Sequence, residues 1–199
     1  MPPISTNMHF GKLFIENSNI ELNIPSFIIG LVSLDTINMD DFEELHTFDE
    51  DGNIDVREFY EQFDFKKLNI VQKSIVLGYY CHLWFDEYYK FNASKLTLHN
   101  NVELTDEELG KAVKTLLKYY DYKAINNFYE VYIEDINLFN EKINLEEISY
   151  ISIKESKEKV KAFIEEEQTS VNYPQLIDEE EYMSLINKGF SKIMKSLYR

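Results

Sequence analysis

Hydrophobic and polar positions alternate along this chain mainly with the 3.6-residue period of an α-helix, and the two-residue period of a β-strand is scarce. The segments with helical period cover most of the sequence. They predict helices over residues 5–17, 55–66, 69–90, 106–119, 122–139, 153–168 and 178–197. The fold class that we predict is therefore all-α, a multi-helix bundle.

Three of these helices carry start signals in the sequence. Thr105 stands three residues before Glu108, and Ser152 stands three residues before Glu155, which is the spacing of a capping box. The final helix begins with an acidic turn and ends among basic residues, which suits the direction of the helix dipole. These signals favour helix starts near residues 106, 153 and 178.

The chain has the length and composition of one domain. It contains 199 residues with only 6 Gly and 4 Pro, and no repeat or low-complexity linker divides it. Its character changes after about residue 140, because all four histidines come earlier and Lys and Glu dominate residues 154–161. We therefore predict a single domain over residues 1–199, with any chemistry in residues 1–140 and a helical scaffold in residues 141–199.

Composition and charge restrict the class of partner. Hydrophobic residues make up 44% of the chain and aromatic residues 15%, which is enough for a sizeable core. With 20 Lys and Arg against 36 Asp and Glu, the net charge is −16, and such a charge repels nucleic-acid backbones. We expect no nucleic-acid partner.

Cysteine usage and hydropathy bear on the location of the protein. Cys81 is the single cysteine, so the chain cannot form an internal disulfide. No basic and apolar leader follows Met1, and the longest apolar run, residues 75–85, is too short to span a bilayer. We expect a cytoplasmic protein without a transmembrane segment.

The segment from Gly78 to Asp86 places a histidine and a carboxylate in one of the most apolar parts of the chain. His82 and Asp86 are four residues apart, so they project from the same helix face one turn apart. Aromatic and aliphatic neighbours surround them, which predicts a helix that is buried all round. A buried carboxylate needs a partner, and a metal ion, a salt bridge or a set of hydrogen bonds could provide it.

Three further residues extend this pair to a set of possible metal ligands. His9 lies on the first predicted helix, Asp35 ends a long apolar run, and His46 follows an acidic stretch. Together with His82 and Asp86 they give three imidazoles and two carboxylates. This borderline nitrogen and oxygen set suits zinc and can also hold iron or manganese.

The order of these motifs resembles that of a known family. A histidine comes first, then an aspartate that closes a Gly-containing apolar run, then a second histidine, and finally His-x-x-x-Asp. The matching stretches are residues 9–12, 27–35, 46–48 with 51–55, and 78–86. The pattern is similar to that of the zinc-dependent phospholipase C superfamily, and more narrowly to its small bacterial intracellular hydrolase branch. The resemblance covers the first half of the chain and implies a phospholipase C/P1 nuclease-like helical bundle.

The resemblance also implies a metal site and a reaction. Asp35, His46, His82 and Asp86 would hold the principal ion, and His9 would reach a second ion that Asp86 bridges. The implied activity is hydrolysis of a small phosphoester or a phospholipid, with metal-bound hydroxide as the nucleophile and Asp35 as the base that orients or deprotonates it. Zinc is the expected ion, with iron or manganese as alternatives.

The chain departs from the family pattern at two places. Secreted members begin with a tryptophan whose amine binds metal, whereas this chain begins Met1-Pro-Pro. Those members also carry a later His-x-x-x-Glu pair, for which only His99 and Glu103 correspond here, in a region with poor helix signal. We interpret His99 as a surface loop residue. Asp121 is either an additional ligand or, as we favour, the cap of the helix that follows it.

Two other classes of function stay open. Residues 47–58 resemble an EF-hand calcium loop, with Gly52 and Glu58 in the expected positions but Thr47 where the first aspartate belongs. The simpler interpretation of that stretch is a polar turn followed by a helix that Asp55 caps. A noncatalytic helical protein that binds metal or a partner is the other alternative.

Overall fold

The computed structural model describes residues 2–36, 53–99, 103–166 and 171–197. In this part of the chain the structure is all-helical and contains no strand. The α-helices are α1 (Ile4–Asn17), α2 (Ile24–Ser33), α3 (Val56–Glu61), α4 (Ile70–Asn92), α5 (Asp106–Ile125), α6 (Ile133–Leu138), α7 (Ile153–Glu165) and α8 (Glu179–Leu197). The predicted all-α class is confirmed.

Helices α2 and α4 form the centre of the fold and approach each other closely through two glycines. A Cβ atom at Gly30 of α2 would collide with the carbonyl oxygen of Ile75 on α4. A Cβ atom at Gly78 of α4 would collide in the same way with the carbonyl oxygen of Phe27 on α2. The two backbones are therefore in contact, which brings the C-terminal end of α2 beside the middle of α4.

Helix starts follow the signals that the sequence carries. Asn69 caps α4 by accepting a hydrogen bond from the backbone N–H of Gln72, and Gln72 returns a bond to Asn69. Thr105 and Glu108 form the predicted capping box at the start of α5. Ser152 accepts a hydrogen bond from the backbone N–H of Glu155 at the start of α7. The predicted starts of these helices agree with the structure to within one residue.

The predicted helices over residues 106–119 and 122–139 have different boundaries in the structure. Helix α5 continues without a break to Ile125, and it ends where Asn126 takes a positive φ of 50°. Asp121 therefore lies inside a helix, and its predicted role as a helix cap is wrong. The rest of the predicted helix over residues 122–139 is a 3₁₀ turn over Phe128–Tyr132 followed by the short α6.

The N-terminal half differs from the prediction in two further elements. The sequence predicts no helix over the apolar run before Asp35, whereas the structure has α2 there, and Asn23 caps it by accepting a bond from the backbone N–H of Ser26. Helix α3 ends at Glu61, earlier than the predicted residue 66, and there the backbone N–H groups of Gln62 and Phe63 bond to carbonyl oxygens three residues back, at Phe59 and Tyr60. Asp55 caps α3 as predicted.

The C-terminal helices also contribute to the core. Val160 and Phe163 of α7 and Tyr182 and Ile186 of α8 are buried. The ring of Phe163 stacks on Tyr122 of α5, with centroids 4.8 Å apart. Among the described helices, none is both long enough and apolar enough to cross a membrane.

Candidate functional site

The structure brings together three of the five predicted metal ligands. Asp35 lies in the 3₁₀ turn that follows α2, and His82 and Asp86 lie one turn apart on α4. His82 Nδ1 is 3.9 Å from Asp35 Oδ2, and His82 Nε2 is 3.4 Å from Asp86 Oδ2. The contact between α2 and α4 at Gly30 and Gly78 is what places these side chains side by side.

The orientation of the His82 ring is set by the backbone of α2. Its Nδ1–H donates a hydrogen bond of 2.7 Å to the carbonyl oxygen of Leu31. This bond directs Nε2 towards Asp86. Histidines that bind a metal ion commonly use one ring nitrogen for the ion while the other donates to a carbonyl or a carboxylate. This orientation is one that metal-binding histidines adopt, and it also suits an ion pair between Nε2 and Asp86.

The distance between His82 Nε2 and Asp86 Oδ2 is informative. A charge-assisted hydrogen bond between an imidazolium and a carboxylate is usually about 2.7–2.9 Å long. Two ligands at about 2.0–2.1 Å from one tetrahedral zinc ion are about 3.3 Å apart. The observed 3.4 Å is closer to the second value. The spacing of these two atoms is compatible with a shared ion and also with a long ion pair.

Burial and charge determine the protonation of the site. Burial by itself lowers the pKa of His82, but the carboxylates of Asp86 and Asp35 and the bond to Leu31 outweigh it and raise this pKa to about 9. Burial raises the pKa of Asp35, although the nearby His82 opposes the rise. Without a metal ion, the ring is therefore an imidazolium between the two aspartates at neutral pH.

Asp35 approaches the opposite edge of the ring from Asp86. Its Oδ2 atom is buried and has no hydrogen-bond partner among the described residues. Because it faces the Nδ1 edge, the three side chains do not converge on one point, and the described residues contain no group of three or more His, Cys, Asp or Glu able to hold a metal ion. A complete site would require a movement of Asp35 or a further ligand.

The fourth ligand that the resemblance implies, His46, lies outside the described residues. Its position relative to Asp35, His82 and Asp86 is therefore untested. The same holds for the first half of the EF-hand-like stretch, residues 47–52. His46 stays a predicted ligand on sequence grounds.

His9 lies in a second polar cluster around Asp121. Four side chains direct hydrogen-bonding atoms at the Asp121 carboxylate, at distances of 2.7–3.0 Å: Ser5, Thr6, His9 and Tyr182. His9 contributes Nδ1, 3.0 Å from Asp121 Oδ1. We call this group the Asp121 cluster. The carboxylate is completely buried, and its hydrogen bonds join α1, α5 and α8.

The two clusters lie on different faces of α1. His9 faces Asp121, whereas Asn7, two residues earlier, faces the ring of His82. Two residues correspond to about 200° around a helix, so these side chains point in nearly opposite directions. Among the described residues no hydrogen bond or ion pair joins His9 to Asp86. The predicted second ion bridged by Asp86 and held by His9 stays a prediction.

Sequence reasoning missed two residues at these sites. Asp121 was considered only as a spare ligand or a cap, and nothing local in the sequence links it to α1, 112 residues away from its partner His9. Asn7 is 1% exposed and lies against His82. The run Ser5-Thr6-Asn7, directly before the apolar Met8, is the local signal that the sequence offers, because polar residues that become buried need partners.

The remaining candidates are at the surface. His99 is exposed, and its backbone N–H donates to the carbonyl oxygen of Leu176, 2.9 Å away. Glu103 is exposed as well. The interpretation of His99 as a surface residue agrees with this position.

We compared the chain with protein-family models, with curated proteins and with solved structures, and none of the three comparisons gave a match. The family resemblance in the first half of the chain therefore stays a prediction. Function has to be inferred from the chemistry and geometry of the side chains.

Proposed function

We propose that this protein is a metal-dependent hydrolase of phosphoesters, with zinc as the favoured ion and iron or manganese as alternatives. The observation that carries the proposal is the arrangement of His82. Its Nδ1–H is held by the carbonyl oxygen of Leu31, while Nε2 faces Asp86 Oδ2 at the 3.4 Å spacing of two ligands on one ion.

The residues that would hold the ion come from three parts of the chain. His82 and Asp86 have the spacing described above, and Asp35 has a buried Oδ2 atom without a hydrogen-bond partner among the described residues. A buried carboxylate oxygen without a partner, such as Asp35 Oδ2, is unfavourable, and a divalent cation reached by a movement of Asp35 would compensate it. His46 would complete the set on the strength of the resemblance.

The chemistry follows from the types of residue. A bound ion would supply positive charge to phosphoryl oxygens and make a coordinated water more acidic. Asp35 is the residue of this chain that we expect to accept the proton. Its side chain is 13% exposed while that of Asp86 is 2% exposed, so Asp35 is the more accessible of the two carboxylates. Burial also raises the pKa of Asp35, which makes it a stronger base than an exposed aspartate.

The substrate class is limited by charge. At a net charge of −16 the molecule as a whole repels polyanions, which argues against nucleic acid. A small phosphoester or the headgroup of a phospholipid needs only the local positive charge of the metal site. We therefore propose a small phosphoester or phospholipid substrate.

A noncatalytic helical protein is the second candidate. It is favoured by the position of Asp35, which faces the Nδ1 edge of His82 while Asp86 faces the Nε2 edge. In such a protein, the His82 imidazolium would form ion pairs with both carboxylates and hold the end of α2 against α4 without a metal ion.

The test is metal analysis of the purified protein by inductively coupled plasma mass spectrometry. Wild type is compared with His82→Ala and Asp86→Asn, and the matched controls are the exposed residues in His99→Ala and Glu103→Gln. We expect about one transition-metal ion per chain in wild type and in both controls, and loss of at least tenfold in the two site variants.

The second arm measures turnover of p-nitrophenyl phosphate and bis(p-nitrophenyl) phosphate with and without a chelator. Hydrolysis that the chelator abolishes and that added zinc or manganese restores supports the proposed function. Absence of any transition metal in folded wild type, even after incubation with zinc, iron or manganese, would contradict it and favour the noncatalytic protein.

A further inference from the structure

A buried amide lies against the ring of His82. The side chain of Asn7 is almost fully buried, with the residue 1% exposed, and its Nδ2 atom is 3.3 Å from His82 Nδ1 and 3.4 Å from His82 Nε2. An amide that bonded end-on to one ring nitrogen would be much farther from the other. The nearly equal distances place the amide over the face of the ring. The two ring nitrogens face Leu31 and Asp86 at the edges of the ring.

The other atom of this amide has no partner. Asn7 Oδ1 is buried and accepts no hydrogen bond in the described part of the chain. A buried acceptor without a donor destabilises a protein by about 1–3 kcal/mol. Such atoms in a native structure often have a functional explanation, and a bound ion or an ordered water molecule is one of them.

The surroundings of the amide favour a cation as that missing partner. The amide lies against His82, whose ring in turn faces Asp86 at one edge and Asp35 at the other, so the group around this ring contains two carboxylates and one imidazole. An amide oxygen is a common neutral ligand of divalent cations and adds no further negative charge. Rotation of the amide by half a turn exchanges Oδ1 and Nδ2, so the oxygen can face either side of the ring without moving the backbone of α1.

We propose that Asn7 is an additional, neutral oxygen ligand of the metal ion held by His82 and Asp86, an inference that rests on the proposed function. Through Asn7, helix α1 would contribute a ligand to the site. It would add a neutral oxygen to the nitrogen of His82 and the carboxylate of Asp86. Such a set suits manganese or iron as well as zinc.

The experiment measures metal affinity, not activity. Wild type, Asn7→Ala and Asn7→Asp are stripped of metal, and their affinities for Mn²⁺ and Zn²⁺ are measured by competition with a chromophoric chelator. Ser5→Ala is the matched control, because it removes another buried polar group from α1 that belongs to the Asp121 cluster.

We expect Asn7→Ala to weaken Mn²⁺ binding at least tenfold, with a smaller effect on Zn²⁺, which accepts four ligands readily. Asn7→Asp keeps an oxygen at the same place and should bind Mn²⁺ at least as tightly as wild type. Ser5→Ala should bind both ions like wild type. Asn7→Leu, which is close to asparagine in size, replaces Asn7→Ala if the alanine variant fails to fold.

The outcomes separate this inference from the proposed function. If wild type binds metal, His82→Ala abolishes binding, and Asn7→Ala and Asn7→Leu bind Mn²⁺ as wild type does, the inference is wrong and the proposed function stands. A folded Asn7→Asp protein that loses affinity as Asn7→Ala does would also overturn the inference, because the oxygen would not matter. If wild type binds neither ion, both proposals are wrong.

Discussion

At the scale of single residues, Asp35 and Asp86 have the same chemistry but different positions. Both carboxylates flank His82, yet the Asp86 side chain is 2% exposed and that of Asp35 is 13% exposed. Asp86 is therefore suited to holding an ion within the core. Asp35 is suited to meeting a reactant, which is why we assign it the role of base.

We expect Asp35→Asn to remain folded and to hydrolyse a phosphoester at least about a hundredfold more slowly, since a missing general base typically reduces rates by about 10²–10⁴. The measurement is turnover per metal ion, with metal content determined on the same samples. Asp64→Asn, at an exposed position outside the site, is the control. Turnover per metal ion equal to that of wild type would remove Asp35 from the mechanism.

His82 predicts how the stability of the metal-free protein changes with pH. Its pKa in the folded protein is raised to about 9, mainly because the charges of Asp86 and Asp35 outweigh its burial. A group with a raised pKa stabilises the folded state fully below its unfolded pKa, near 6.5, and this contribution is lost as the pH rises through 9. We expect the free energy of unfolding to fall by roughly 1–3 kcal/mol between pH 6.5 and 9.

Urea unfolding of chelator-treated protein at several pH values measures this change. His82→Gln is the comparison, because it removes the titrating ring while other groups continue to titrate. The fall should be smaller in His82→Gln, and a metal-loaded wild type should also show less of it because the ion keeps the ring neutral. Identical pH profiles for wild type and His82→Gln would show that His82 does not titrate in this range.

At the scale of helices, the site depends on the close contact of α2 with α4. Gly30 and Gly78 lie against the opposite backbone, so neither has room for a side chain. This contact is the reason that Leu31 can accept a bond from His82 and that Asp35 is near the same ring. Separating the two helices would therefore change both stability and the site.

We expect Gly30→Ala or Gly78→Ala to destabilise the protein by at least about 2 kcal/mol, because the added methyl group meets backbone atoms that cannot rotate away. Gly110 on α5 is the matched control, since a Cβ atom there meets nothing within 4 Å. Gly110→Ala should be stabilising by about 0.5–1 kcal/mol. Urea unfolding measures all three, and equal effects at Gly78 and Gly110 would contradict the close contact.

The error about α5 is also explained at this scale. The sequence predicts one helix over residues 106–119 and a second over residues 122–139, which leaves Tyr120 and Asp121 between the two and Tyr122 at the start of the second. In the structure each of these residues has a hydrogen-bond partner in another element: Tyr120 bonds to Ile177, and Tyr122 bonds to Phe163. Tertiary contacts therefore allow the helix to continue where local sequence suggested a stop.

At the scale of the whole molecule, the Asp121 cluster joins distant parts of the chain. The Asp121 carboxylate on α5 forms hydrogen bonds with Ser5, Thr6 and His9 of α1 and with Tyr182 of α8. Helix α8 lies in the C-terminal part that sequence analysis treated as scaffold. These bonds make it a partner of the helix that carries His9 and Asn7.

We expect Asp121→Ala to destabilise the protein by about 3–5 kcal/mol, because it leaves several buried donors without an acceptor. Tyr182→Phe removes one of the bonds to Asp121 together with the bond between Tyr182 and Thr6, and should cost about 1–2 kcal/mol. Tyr132→Phe is the control, since its hydroxyl makes no hydrogen bond among the described residues and its loss should change stability by less than about 0.5 kcal/mol. Equal unfolding midpoints for Asp121→Ala and Tyr132→Phe would contradict this role.

The sequence by itself determined the helical class and most helix starts. Hydrophobic period and capping depend on residues three or four positions apart. The capping box of Thr105 and Glu108 could therefore be predicted from the sequence. The proximity of His82 and Asp86 could be predicted for the same reason, because residues four positions apart lie on the same face of any α-helix. These features depend only on residues three or four positions apart, so they can be predicted from the sequence.

Tertiary structure decided which of these residues meet. The approach of α2 to α4 brought Asp35 to His82, whereas the direction of α1 placed His9 at Asp121 and Asn7 at His82. Each pairing depends on the packing angle between helices far apart in sequence, and a rotation of about 100° per residue changes which side chain faces inward. No local pattern contains that angle, because it results from packing the whole core.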